Sequence, residues 1–243
     1  MELLAREMKL RYERSRLGMI WAVLNPLMQI AIFTFVFHSM IRLEIPHYSQ
    51  FVFTGLLAWN WFQQGLMSSV GAITGNRELV RQPGFPIGVL PIVAITVPLL
   101  DLLAALPVLL VFLLASGTHL TLAILMLPVL IVLQFLFMLG IGFVLASAQV
   151  TFWDVQHLLG VALMMLFYLT PVFYALEIVP DWARAIYDVS PITRLITCYR
   201  QILIDGVVPD GWGLLTLAVL DVLLLPIGWR AFARARHAFV DEL

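Results

Sequence analysis

Charge is scarce in this sequence. Lys, Arg, Asp and Glu together supply 12% of its 243 residues, about half of the ~25% found in a soluble domain. Hydrophobic residues make up 62%, and the mean hydropathy is +0.98. A chain so short of polar side chains cannot cover itself with a water-facing surface, so it belongs in a membrane. The 14 Lys and Arg against 15 Asp and Glu leave a net charge of −1, which offers no pull toward nucleic acid. Lys9 is the only lysine, and Glu7-Met8-Lys9-Leu10 holds no glycine; without a G-x-x-x-x-G-K-[ST] loop the chain does not cradle ATP phosphates in that way. Cys198 is the only cysteine, which excludes an intramolecular disulfide or a cysteine-built metal site and leaves it as small apolar filler. His38, His47, His119, His157 and His237 are far apart and none precedes Glu, so the paired histidines of a metalloprotease helix are missing, as is a G-x-S-x-G elbow. Neither a metal site nor a catalytic centre is expected.

What is abundant is long apolar runs. Crossing a bilayer core takes about 20 apolar residues. Met19 to Ile41 and Ile45 to Asn76 carry no formal charge, the second being most apolar over Gln50 to Val70. Gln82 to Trp153 holds one charge, Asp101, and is too long for one crossing. The turn signal Ser116-Gly117-Thr118-His119 divides it into spans at 88 to 115 and 120 to 147. A fifth span runs from His157 to Ala175 and a sixth from Gly211 to Trp229, the latter containing Asp221. The runs lack the period-two alternation of a barrel, so an all-α membrane protein of six transmembrane helices is expected. Arg6, Lys9, Arg11, Arg14 and Arg16 precede span one, Arg77 and Arg81 follow span two, and Arg230, Arg234 and Arg236 follow span six, ten of the fourteen cations in all. That bias places both termini in the cytoplasm. The first run is a full span with no small-residue cleavage site after it, so it is expected to be retained.

Three segments do not span. Residues 1–17 place Met1, Leu4, Met8 and Tyr12 on one helical face and Glu2, Arg6, Lys9, Glu13 and Arg16 on another. This fits an interfacial amphipathic helix on the inner leaflet, or a solvated lead-in that fixes topology. The loop 71–87 is charged at Arg77, Glu78 and Arg81 and ends in Pro83-Gly84-Phe85-Pro86. It reads as one or two helical turns and a rigid apolar corner, either a knob for a partner or a connector held at the interface. Between 177 and 206, Trp182, Ile186 and Val189 form one short stripe, and after Ser190-Pro191 the residues Ile192, Leu195, Ile196, Tyr199, Ile202 and Leu203 form a second. Two short amphipathic helices are expected there, their polar faces carrying Asp181, Arg184, Asp188, Arg194 and Arg200, as an outer lid or as packing against the span ends.

Asp101 and Asp221 are the intramembrane acids, open to a transport or proton-relay role, to pairing, or to snorkelling at a span end. Trp59, Trp61 and Phe62 in span two, Phe152-Trp153 at the foot of span five, and Tyr168, Phe173 and Tyr174 toward its top could line a sugar path, since C–H faces stack on rings; anchoring at the interface accounts for many of them equally well and is the leading reading for Trp153 and Tyr174. Pro26, Pro98, Pro107, Pro128, Pro171 and Pro226 predict kinks.

The opening Arg11-Tyr12-Glu13-Arg14-Ser15-Arg16-Leu17-Gly18-Met19-Ile20-Trp21-Ala22-Val23-Leu24-Asn25-Pro26-Leu27 resembles the start of the membrane subunits of ABC-2 type polysaccharide exporters, the permeases of O-antigen, capsule and teichoic-acid export. The short charged loop with Phe85-Pro86, Thr170-Pro171-Val172-Phe173-Tyr174 closing span five, and Ser190-Pro191-Ile192-Thr193 between the outer helices extend the likeness over nearly the whole chain. The resemblance implies one transmembrane domain over 1–243 in a bacterial inner membrane, forming a homodimer. It implies no cofactor on this chain, with ATP and Mg on a separate ABC nucleotide-binding subunit. It also implies a polyprenyl-pyrophosphate-linked polysaccharide, O-antigen foremost, as cargo. The loop with Arg77, Glu78, Arg81, Phe85 and Pro86 then resembles a coupling helix and 177–206 an outer gate. Many relatives read Phe-Arg-Asp where this chain has Phe152-Trp153-Asp154, so a cation is missing there, and Arg11, Arg14 and Arg16 are left as candidates to meet a pyrophosphate headgroup. A proton-coupled secondary transporter using Asp101 or Asp221, and an intramembrane glycan-modifying enzyme such as an acyltransferase, are the alternatives.

Overall fold

The computed structural model describes residues 3–4, 7–8, 20–33, 35–36, 45–236 and 239, and holds no strand among them. Leu3, Leu4, Glu7 and Met8 are helical, whereas Arg11, Arg14 and Arg16 lie outside the described residues. In chain order the helices are α1 (Ile20–Phe33), α2 (Tyr48–Val70), α3 (Arg77–Val80), α4 (Val89–Ala115), α5 (Leu127–Thr151), α6 (Val155–Leu169), α7 (Asp181–Val189), α8 (Pro191–Leu203) and α9 (Gly211–Ala235). Three helical stretches, Val89–Ala115, Leu122–Thr151 and Gly211–Ala235, are long and apolar enough to cross a membrane.

The centre of the bundle is α2, which packs against α1, α4, α5, α6 and α8. Its Asn60, Gln63, Gln64, Ser68 and Ser69 lower its hydropathy, yet neighbouring helices bury most of it and take up several of its polar groups. Asn60 Nδ2 donates to Gln29 Oε1 of α1 at 3.0 Å, and the Trp59 indole donates to Gln63 Oε1 at 3.0 Å. Gln134 Nε2, from α5, donates to the Ala58 carbonyl at 2.9 Å.

Helices α5 and α9 meet at two glycines. A Cβ at Gly228 would overlap the carbonyl oxygen of Gly140, and one at Gly140 would lie 2.9 Å from the Leu224 carbonyl carbon. Small residues permit this approach, and dispersion between bare backbones holds the pair together. Below the crossing, Phe143 rests edge-on to Trp229 at 5.2 Å.

The fifth apolar run departs from expectation. The helix α6 stops at Leu169, so its 15 residues rise about 22 Å, short of a bilayer core of about 30 Å. The break comes from Pro171: the residue before a proline is driven out of the α region, and Thr170 is extended at φ −93°, ψ 138°. The other prolines divide by position. Pro26, Pro98, Pro107 and Pro226 lie inside helices, while Pro128 opens α5, where its missing N–H costs nothing. In the first run the α-helix is described over Ile20–Phe33, with Phe35 and Val36 in a π-helical turn; residues 37–44 lie outside the described set.

Candidate functional site

The loop connecting α2 to α4 has an anchored inner side and a charged outer side. Ala72, Ile73 and Val80 are buried, and Asn76 Nδ2 donates to the Ala72 carbonyl at 3.0 Å. After a 3-10 turn over Thr74–Asn76, the four residues of α3 present Arg77 and Glu78 outward, with exposed Arg81 following. Gly84, at φ +80°, supplies the left-handed turn before half-buried Phe85 and exposed Pro86. The expected helical turn and apolar corner are both present.

This loop touches the foot of α6. The Arg77 guanidinium lies over the Trp153 ring, 5.4 Å from its centroid, a cation–π contact. Trp153 is held in turn by Gln149: its Nε2 donates to the Trp153 carbonyl at 3.1 Å, and its Oε1 accepts from the Gln156 amide at 2.8 Å. A guanidinium therefore stands beside the position where the sequence puts tryptophan, brought there by the 71–87 loop.

At the opposite end, α8 is fastened by a buried arginine. Its apolar stripe, Ile192, Leu195, Ile196, Tyr199, Ile202 and Leu203, is wholly buried, and Ser190 Oγ caps it by accepting from the Thr193 amide at 3.5 Å. Arg200, expected on the polar face, is 8% exposed. Its Nη2 donates to the Val172 carbonyl at 2.7 Å, and Nε and Nη2 share the Phe51 carbonyl at 3.4 Å. The guanidinium also covers the Phe51 ring, 3.3 Å from the centroid. Tyr48 donates its hydroxyl to the neighbouring Phe173 carbonyl at 2.9 Å. The non-helical Thr170–Tyr174 segment bends back on itself, the Val172 amide donating to the Thr170 carbonyl at 2.7 Å; Arg200 and Tyr48 satisfy the Val172 and Phe173 carbonyls, as broken backbone inside a membrane protein requires. Gly55 makes the room, since a Cβ there would meet Arg200 Nη2 at 2.9 Å and the Val172 carbonyl at 3.0 Å. Burial lowers the Arg200 pKa from 12.5 to about 9, so the group stays cationic at neutral pH. By contrast α7 keeps only Ala183 buried, and its stripe of Trp182, Ile186 and Val189 faces outward.

Aromatic rings link α1, α6 and α7 beside this clamp. Phe33 stacks on Phe173 at 5.6 Å, and Phe173 meets Tyr168 at 6.2 Å and Tyr174 at 5.1 Å. The Tyr174 and Tyr187 hydroxyls are 3.0 Å apart. Tyr168, Phe173 and Tyr174 are thus brought together, with Tyr168 largely exposed. Trp59, Trp61 and Phe62 are at most 3% exposed and pack the core against Phe167, Ile95 and Phe137. For them to stack on a sugar the helices would have to part.

The family model for ABC-2 type transporters matches residues 1–204. This chain belongs to that family. An O-antigen export system permease protein of Myxococcus xanthus is 33% identical over 243 residues, covering 99% of this chain and 94% of the relative. One from Klebsiella pneumoniae is 27% identical, covering 98% and 92%. A polysialic acid transport protein of Escherichia coli is 24% identical, covering 99% and 94%.

Within this ABC-2 membrane chain the two intramembrane acids part company. Asp101 is half-buried in α4, between Pro98 and Pro107. Asp221 is buried in α9, and neither carboxylate oxygen has a hydrogen-bond partner. Sequence reading did not single out Arg200, Gly55 or the Gly140–Gly228 pair. Arg200 was expected only among the charges of the polar face, and its burial corrects that expectation.

Proposed function

We propose that this chain is the membrane subunit of an ATP-driven exporter that carries a lipid-linked polysaccharide, of O-antigen type, from the cytoplasmic to the outer face of a bacterial inner membrane. The observation that carries this is the full-length relatedness to O-antigen export permeases. In this reading α1, α2, α4, α5, α9 and the run from α6 through the non-helical segment to Ala175 are the six spans, and both termini are cytoplasmic. Two copies pair, and each docks on a nucleotide-binding subunit that holds ATP and Mg. The loop 71–87 receives the stroke of that subunit through Arg77, Glu78, Arg81, Phe85 and Pro86, and 177–206 closes the outer mouth. The cations at Arg11, Arg14 and Arg16 are the candidates for the pyrophosphate headgroup.

The geometry supports this with a connected route. Arg77 touches Trp153 at the foot of α6, and the far end of α6 runs into the Thr170–Tyr174 segment that Arg200 clamps to α8. Displacement of the loop can therefore reach the outer helices along one element.

Deletion of the gene in its host, followed by surface labelling and inner-membrane extraction of the lipid-linked glycan, tests the reading. Full-length glycan trapped on the cytoplasmic face is expected; unchanged surface glycan would overturn it. Replacing Glu78 or Arg81 with alanine is expected to stop export without affecting membrane insertion.

A further inference from the structure

A second feature lies at the loop end of the molecule, where the start of α4 meets the end of α9. Trp229 presses against Gly88, where a Cβ would lie 2.9 Å from the indole Cζ3. Beside this contact opens a cavity of about 580 Å³, lined chiefly by Phe85, Ile87, Ile92, Trp229, Phe232 and Arg236. That volume is in the range of small-molecule sites, about 300–1,000 Å³. Its walls are apolar, and among the described residues Arg236 is the only charged side chain on it. Arg236 is exposed and forms no ion pair among the described residues. Arg230 and Arg234 are exposed on the same helix end.

We infer that this groove binds an anionic phospholipid, one acyl chain lying between α4 and α9 and the phosphate meeting Arg236. Three observations converge on that occupant. The walls offer a chain only dispersion and apolar burial, which suits hydrocarbon. Partly exposed Trp229 and Arg236 mark headgroup depth, where indole and guanidinium side chains anchor. Arginines beside a pocket at the cytoplasmic ends of membrane helices attract anionic headgroups, about 1 kcal/mol per cation. The site does not depend on which polymer the permease carries; the proposed function enters only in naming the leaflet.

The test uses the full-length permease, alone and with its nucleotide-binding subunit, in nanodiscs of equal phosphatidylglycerol and phosphatidylethanolamine, with retained lipid counted by native mass spectrometry. Phosphatidylglycerol should be retained in preference. Arg236→Gln should reduce that preference about fivefold, and Ala233→Trp, which fills the groove, should abolish retention. Brominated phosphatidylglycerol should quench wild-type fluorescence more than that of Trp229→Phe, a readout that needs no groove-filling variant to fold. Equal retention of the two lipids, retention unchanged in either groove variant, or quenching unaltered by Trp229→Phe would overturn the inference. So would loss of the lipid on adding the nucleotide-binding subunit, since the groove would then be a protein interface.

Discussion

The guanidinium of Arg77, in the loop after α2, rests on the indole of Trp153 at the foot of α6. Two segments 76 positions apart in sequence thereby share one contact at the end of the molecule where the proposed ATPase stroke arrives. An exposed cation–π pair is worth about 0.5–1 kcal/mol, a factor of about two to five. Trp153→Ala and Arg77→Ala should each reduce export by about that factor while ATP hydrolysis by the assembled transporter persists, and Arg77→Lys should lose less. Export equal to wild type in both alanine variants, measured by surface labelling against ATPase rate, would remove this contact from the coupling route.

The clamp at the other end can be read through the chain's own thiol. Cys198 is buried on α8, and burial, with Asp210 adding to it, pushes its thiol up to about 11, so it is both hidden and unreactive. In native membranes at pH 7.5, maleimide should leave it unlabelled. Arg200→Met strands the Val172 carbonyl, a charge-assisted hydrogen bond worth about 1.5–3 kcal/mol. Cys198 labelling should then rise at least tenfold as α8 loosens. Gly55→Ala, which crowds the same guanidinium, should act in the same direction.

The two glycines at the α5–α9 crossing permit a comparison within one protein. Gly228→Ala places a methyl group on the Gly140 carbonyl, and overpacking of this kind costs about 1–3 kcal/mol. At Gly160, on α6, a Cβ meets nothing within 4 Å, so Gly160→Ala should match or exceed wild-type stability through helix propensity alone. Thermal melting of the two variants in one detergent measures the difference, and equal loss in both would show that the crossing is not the cause.

Asp221 separates two classes of transporter. Both carboxylate oxygens are buried without partners, and an unsatisfied polar group costs stability. Under the ATP-driven reading, Asp221→Asn should export normally and Asp221→Leu should be at least as stable as wild type. Loss of export in the asparagine variant, with the protein folded and inserted, would favour proton coupling.

The α8 helix was legible from sequence because its signals are local. Ser190-Pro191 supplies both cap and first turn, and the stripe from Ile192 to Leu203 repeats at helical spacing. The end of α6 was hidden for the opposite reason: the apolar run continues to Ala175, and hydropathy does not register that Pro171 has broken the helix. The site's principal arginine was hidden more deeply still. The partners of Arg200 are backbone carbonyls 28 and 149 residues away, and a carbonyl carries no side-chain identity that spacing could reveal. The core position of Trp59, Trp61 and Phe62 likewise depends on which helices surround α2, which composition along one strip of chain does not encode.

Of the fifteen residues of α6, Leu163 alone is buried, and Leu158, Val161, Met164 and Met165 are more than half exposed. The chain is tied on either side of it, by Arg77 on Trp153 just before the helix and by Arg200 on the Val172 carbonyl just after it. In the proposed export cycle this helix of about 22 Å, little buried along its length, is the element that could shift lengthwise with the least repacking of the core.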